Sequence, residues 1–329
     1  MSQITTKNKP IIKKVSRVFD RPLLLSPAQD MRGYITKLIG GSIFFSLACF
    51  SVLAVLFIFV FIIAESIPFI QKFGLSELLF SSQWTPTAEG SSAGYGGLTM
   101  IVGSLYVTVG ALVLAVPIGI LTAIFLSDIM PFKLRQIVKP IIELLAAIPS
   151  VAYGFFAILV LAPWLQDQGM ASGANALNAS LILAVMAVPT IVSVSEDAIS
   201  SVGRDLREGA YSLGSTRAET LVKVVLPASS SGIVAAVILG MMRAIGETMV
   251  VWMASGNATK IPVPWWDLSQ SIRTMTATIA AEQSEAVKGS DHYHALFSIG
   301  LLLLVFTFAM NIISEFLLAR SKKKLGGSR

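Results

Sequence analysis

Charged side chains are scarce in this sequence. Asp, Glu, Lys and Arg make up 13% of its 329 residues, about half the share that water-facing folds carry, which excludes an ordinary soluble domain. Cysteine is nearly missing: Cys49 stands alone, so no intrachain disulfide can form. Inside an apolar run it reads as a small apolar filler. Histidine is limited to His292 and His294, with no cysteine nearby and no helical pairing, which argues against a metal site. No apolar run holds a Ser/His/Asp, Cys/His or metal constellation, so an embedded enzyme is a distant reading and no catalytic residue is assigned. Internal repeats and low-complexity stretches are missing too.

What is there is apolar. Hydrophobic residues reach 54% and the mean hydropathy is +0.74, the composition of a polytopic membrane protein. Six runs are predicted to span a bilayer: Leu38–Ala64, Leu98–Leu126, Ile141–Trp164, Leu177–Ser195, Gly232–Ser255 and Ala295–Ser314. Pro117 is expected to kink the second, Pro149 to break the third, and Pro189 lies in the fourth. The first run is read as a retained span, since the segment before it is too long for a signal-peptide leader. The division expected is a basic tail over 1–37, a permease-like domain over 38–319 and a basic end over 320–329. In the tail, Ile11, Ile12, Val15, Val18 and Phe19 fall at near-helical spacing among the charges. A surface helix on anionic lipid and a disordered basic tail both fit.

Lys and Arg set the orientation. With the N-terminus in the cytoplasm, 20 of the 25 fall on that side; Lys72, Lys260, Arg273 and Lys288 lie outside, and Arg243 within the membrane. Both termini are therefore expected to be cytoplasmic. Outside, 65–97 is Ser- and Gly-rich, and 256–294 carries Trp265 and Trp266, an interfacial pair. A short helix is expected within Ser269–Val287.

Two places carry function. The first is the loop Glu196–Leu226 between the fourth and fifth runs. Asp205 is placed as N-cap with Glu208 at N3, Gly214 ends that helix, and Thr216 caps a second with Glu219 at its N3. The result is a cytoplasmic helical hairpin over 204–227. The second is Arg243 with Glu247, opposite charges in an apolar run. Arg243 lies about ten residues into the fifth run, roughly 15 Å along it, with Glu247 one turn further on the same face. An arginine at that depth costs about 2.5 to 3.5 kcal/mol. One reading is an internal ion pair that holds helices together. The other is a pathway arginine, its fork of N–H donors matching a tetrahedral oxyanion. Glu247 would then accept a hydrogen bond from a substrate oxygen that keeps a proton, as phosphate does near neutral pH and sulfate does not.

The loop resembles that of the membrane subunits of bacterial ABC importers, E-A-A-x-x-x-G, nine residues, then I-x-L-P. Here stand Glu208, Gly209, Ala210, Gly214, Val224, Leu226 and Pro227 at that spacing; Gly209 and Val224 are the departures. The segments 141–156, 243–257 and 277–286 are similar to those of the phosphate-specific (Pst-type) importer, C-type subunit, so the likeness runs from about residue 95 to 319. The resemblance implies an all-α transmembrane fold, the six-helix type I ABC importer permease with a cytoplasmic coupling-helix hairpin. It implies passage of phosphate by Arg243 and Glu247, and it places Glu143 in a family motif, where an interfacial charge is an equal reading. The partners implied are a second related permease as heterodimer, two copies of an ATP-binding subunit and an extracytoplasmic phosphate-binding protein. ATP and Mg²⁺ would sit on the ATPase, since no G-x-x-x-x-G-K-[ST] occurs here; no cofactor and no nucleic acid is expected. The rival readings are the same machine carrying molybdate, sulfate or phosphonate, and a secondary transporter without an ATPase.

Overall fold

A computed structural model describes residues 27–87 and 93–324. The expectation for the tail's helix, the basic end beyond 324 and part of the Gly/Ser loop lie outside these residues. The chain divides into two units, Met1–Val60 and Phe61–Arg329. In the first, α1 (Pro27–Phe73) presents an all-round apolar surface, with Phe44, Phe45, Phe50 and Phe57 exposed. A helix apolar on every side suits lipid rather than water.

In the second unit a short helix α2 (Leu75–Phe80) and a two-stranded ribbon, β1 (Trp84–Thr85) and β2 (Gly94–Tyr95), lead into α3 (Leu98–Ile124), which a π-type turn extends to Ile129. The strands are antiparallel, Trp84 facing Tyr95. Then come α4 (Phe132–Ala146), α5 (Ser150–Phe156) and, through a second π-type turn, α6 (Ala162–Asp167). Next are α7 (Ala176–Ser200) and the hairpin helices α8 (Arg204–Ser212) and α9 (Arg217–Thr220). A third π-type turn joins α9 to α10 (Leu226–Ile245), followed by α11 (Met249–Ala254), α12 (Met275–Glu282) and α13 (Asp291–Lys324).

Among the described residues six helices are long and apolar enough to cross a membrane, one for each run read from sequence. Two differ from expectation. The third begins at Ser150, because residues 141–146 belong to the amphipathic α4, which ends at Ala146 before Pro149. Proline cannot donate to the preceding turn, and it biases the residue before it away from helix. The fifth runs over Arg217–Ile245 and stops before Glu247 rather than reaching Ser255. Pro117 and Pro189 stay inside continuous helices. The helix expected within Ser269–Val287 is confined to Met275–Glu282.

The core centres on α7, the most buried span, packed between α3 and α10. Close approach comes from small residues: a Cβ added at Gly119 or Gly240 would lie 2.6 Å from Ile191 side-chain atoms, so both neighbouring helices press on one fully buried isoleucine. In lipid, where burial of apolar surface drives little, such tight packing supplies the attraction. The π-type turn that starts at Ala157 leaves the Ala157 carbonyl, which accepts from the Ala162 N–H, open to a second donor. Buried Asn178 donates to it at 3.0 Å and to the Gly173 carbonyl at 2.8 Å, so irregular backbone at depth stays satisfied.

At the end of the bundle remote from the hairpin, Phe69, Leu78, Trp84, Tyr95 and Met275 form a second cluster. Beside it Glu282 accepts from Trp84 Nε1 (3.1 Å), Arg273 (2.6 Å) and His292 Nε2 (2.8 Å). Asp267 accepts from Ser269 and Gln270, and those bonds hold its carboxyl below the usual carboxylate range. Trp265 and Trp266 are exposed and stack edge to face.

Candidate functional site

Two interruptions of helical structure meet at Arg243. α10 ends at Ile245, and Gly246, Glu247 and Thr248 separate it from α11. Across the fold, α4 ends at Ala146 and α5 restarts after Pro149. Arg243 therefore sits in the last turn of its helix rather than mid-helix, and Glu247 is not one turn along the same face. The guanidinium Nη2 donates to the Ala146 carbonyl at 3.2 Å, and Tyr153 Oη donates to the Leu145 carbonyl at 2.8 Å. Both cap the negative end of α4. Arg243 Nε is buried without a hydrogen-bond partner. Broken helices whose ends converge in this way are how membrane transporters build substrate sites.

Glu247 lies apart from this fork, and no ion pair joins it to Arg243 among the described residues. Its carbonyl accepts from Thr276 Oγ1 at 2.9 Å. With Ser104, Thr108, Thr274 and Thr276 on one side and apolar residues such as Val107, Leu183 and Ile245 on the other, it lines a small cavity. Glu143, on α4, is exposed and meets Ser193 Oγ at 3.4 Å.

The hairpin is built largely from local chemistry. Gly214 has φ +85°, a left-handed conformation that glycine adopts without strain. Its N–H and that of Ser215 return to the carbonyls of Tyr211 and Ala210. Thr216 and Glu219 form a reciprocal capping box. The start of α8 differs from expectation: Gly203, not Asp205, is the N-cap, with no side-chain hydrogen bond. Ala210 packs inward, whereas Leu206, Tyr211 and Leu213 are exposed, Leu213 to 89%. Glu208 and Gly209 lie on the exposed side of α8. Leu226 and Pro227 open α10 where the π-type turn Leu221–Val225 hands over to α-helix, inside the continuous helix Arg217–Ile245; proline there removes one helical N–H, and the local irregularity accommodates it.

Behind the hairpin lies a charge network. Glu196, at 0% exposure on α7, is gripped by Arg135 and Lys139 of α4, the latter at 2.7 Å. Lys139 also reaches Asp197 at 2.5 Å, and Ser200 Oγ donates to Glu196 at 2.7 Å. Arg207 of α8 pairs with Asp128 at the end of α3 and donates to the Ile199 carbonyl at 3.1 Å. Taking one partner from such a buried pair costs about 3–5 kcal/mol, since a charge is left uncompensated.

Residues 115–325 match the model of the binding-protein-dependent transport system inner membrane component family. The chain belongs to this family. A probable ABC transporter permease protein of Bacillus subtilis, YqgH, is 40% identical over 75% of this chain and 78% of its own. The phosphate transport system permease protein PstC of Mesorhizobium japonicum is 36% identical over 78% and 82%, and that of Haemophilus influenzae 35% over 86% and 92%. Among solved structures, a bacterial ABC transporter that imports alginate aligns at TM-score 0.60 and 16% identity, over 88% of this chain and 99% of that one. The MetNI methionine transporter aligns at 0.53 and 16%, over 68% and 96%. These neighbours show the fold, that of a type I ABC importer permease.

In this multi-pass inner-membrane permease the structure brings Arg243 to the α4 terminus, but it joins neither Glu247 nor Glu143 to it. Sequence reasoning missed Glu196, which it placed at the start of a loop. The available signal was the carboxylate pair Glu196 and Asp197 following an apolar run, with Arg135 and Lys139 spaced one helical turn apart elsewhere. Thr274, Thr276 and Asn178 were missed as well, because tertiary contacts alone define their partners.

Proposed function

We propose that this permease carries inorganic phosphate as the membrane subunit of an ATP-driven importer. The observation that supports the reading is Arg243 at the junction of two helix breaks, one N–H engaged by a backbone carbonyl and Nε still free. A guanidinium stays charged when desolvated and fits tetrahedral oxyanions. The relatives named PstC support phosphate as that oxyanion. Glu247, in its partly hydroxyl-lined cavity, accepts from a protonated phosphate oxygen, and Glu143 marks the far mouth of the pathway.

The permease works with an ATPase and an extracytoplasmic substrate-binding protein. The finer assembly is a heterodimer with a related permease and two ATPase copies, with ATP and Mg²⁺ held on those copies and no cofactor here. The distribution of Lys and Arg supports cytoplasmic termini. The hairpin, with Glu208, Gly209, Ala210 and Gly214 and its exposed Leu213, docks in the ATPase. ATP-driven closure of the ATPases draws the hairpins together and opens the pathway outward; hydrolysis resets it. The binding protein docks on the loops around 84–97 and 256–294.

Uptake of radiolabelled phosphate in cells stripped of their own importers tests the proposal. Wild-type uptake should resist excess sulfate and molybdate, and Arg243→Gln should abolish it with assembly intact. Uptake unchanged by the substitution would reduce Arg243 to a cap for α4. Uptake of sulfate or molybdate instead would move the permease to another oxyanion.

A further inference from the structure

The geometry points to α4 as the element that carries hairpin movement to Arg243, with Glu196 as its positioning residue. This inference rests on the importer reading above. α4 has no buried residue, so apolar packing inside this chain does not fix its place. Polar contacts hold it at both ends. At one end Arg135 and Lys139 grip the fully buried Glu196. At the other, the Ala146 carbonyl takes the Arg243 fork and the Leu145 carbonyl takes Tyr153. Extended residues flank the rod, Pro131 at ψ 140° and Pro149 at ψ 137°. It is thus one helix, with Pro140 in its interior, between two non-helical joints.

The hairpin reaches the same Glu196 turn. Arg207 of α8 binds the Ile199 carbonyl, and Ser200 bonds both Glu196 and Arg135. Contiguity by itself is no proof of coupling. The physical reason for coupling here is burial. A carboxylate without water cannot part from its cations, so α4 follows the end of α7 when the hairpin shifts. The far end of α4 then moves the Ala146 carbonyl toward or away from Arg243. In one position a fork N–H is spent on the protein; in the other it is free for an oxyanion.

The test uses the whole complex, with ATPase and binding protein, in liposomes. ATP hydrolysed and phosphate imported are measured together for wild type and Glu196→Gln. In a Cys49→Ser background, spin labels at the exposed positions Gln136 and Lys288 report the place of α4. Glu196→Gln should keep hydrolysis within about twofold while uptake falls at least about tenfold, in the range of allosteric coupling. The ATP-dependent distance change seen in wild type should vanish. An unchanged ratio of uptake to hydrolysis with the distance change intact overturns the inference, and so does no distance change in wild type. If Glu196→Gln does not assemble, Arg135→Gln, which leaves Lys139 on Glu196, decides by the same readouts. A wild type that hydrolyses ATP and moves its labels but imports no phosphate refutes the substrate alone.

Discussion

Ile191 is the point where three spans meet, and replacing the two glycines against it tests the packing argument quantitatively. A methyl added at Gly240 would stand 2.6 Å from Cγ1 and 2.8 Å from Cδ1 of Ile191; one at Gly119 would stand 2.6 Å from Cγ2 and 2.9 Å from Cβ. Ordinary contact begins at 3.4 Å, so each alanine intrudes by nearly an ångström into a residue with no exposed surface. Overpacking of this kind costs about 1–3 kcal/mol per site. Ile191→Ala alone opens a cavity and costs about 2–5 kcal/mol. It also removes Cγ1, Cγ2 and Cδ1, the atoms that either new methyl meets most closely. Gly240→Ala with Ile191→Ala should therefore be milder than the sum of the two by about 1–3 kcal/mol, a coupling of the size contacting residues show. Unfolding in detergent, followed by tryptophan fluorescence for the four members of the cycle, supplies the energies. Strict additivity, or a Gly240→Ala variant as stable as wild type, would refute close packing of α10 on α7.

Three further outcomes are expected. Arg243→Lys keeps the charge but loses the fork; losing one charge-assisted hydrogen bond, about 1.5–3 kcal/mol, should lower phosphate uptake about 10- to 150-fold, and normal uptake would discard the fork. Gly214→Ala forces a side chain into φ +85° and should cost about 1 kcal/mol, read as weaker co-purification of the ATPase at equal membrane levels. Asn178→Leu strands the Gly173 carbonyl, while the Ala157 carbonyl keeps the Ala162 N–H, and should cost about 1–3 kcal/mol; thermal inactivation in detergent at the wild-type temperature would contradict this.

Much of the fold was legible because its signals are local or long. Apolar runs announce spans through their length alone, and Thr216 with Glu219 and Gly214 announce the hairpin through chemistry confined to six residues. The break at 246–248 has no proline, and Gly246, Glu247 and Thr248 are a short interruption between long apolar stretches, so the run through Arg243 read as one helix. The same continuity merged the end of α4 with the third span. Asp205 is a better N-cap than Gly203 by intrinsic preference, yet the chain caps α8 at glycine with no side-chain bond, and nothing in the described contacts explains the choice. Glu196 showed only as a carboxylate after an apolar run, and its partners stayed hidden because they lie about sixty positions earlier in sequence.

The Glu282 hub has a consequence for how this protein is made. Its ligands are Trp84, Arg273 and His292, and 198 residues separate Trp84 from Glu282. At about 5–20 residues per second of synthesis, the ribbon around Trp84 waits some ten to forty seconds for its carboxylate. During that interval the early helices are already in the bilayer with an indole and an aromatic cluster uncovered at their ends. Closure of the hub thus reports that the last span is arriving. A chain stalled before Glu282 leaves Trp84 without that partner, a mark by which membrane quality control can tell an unfinished permease from a finished one.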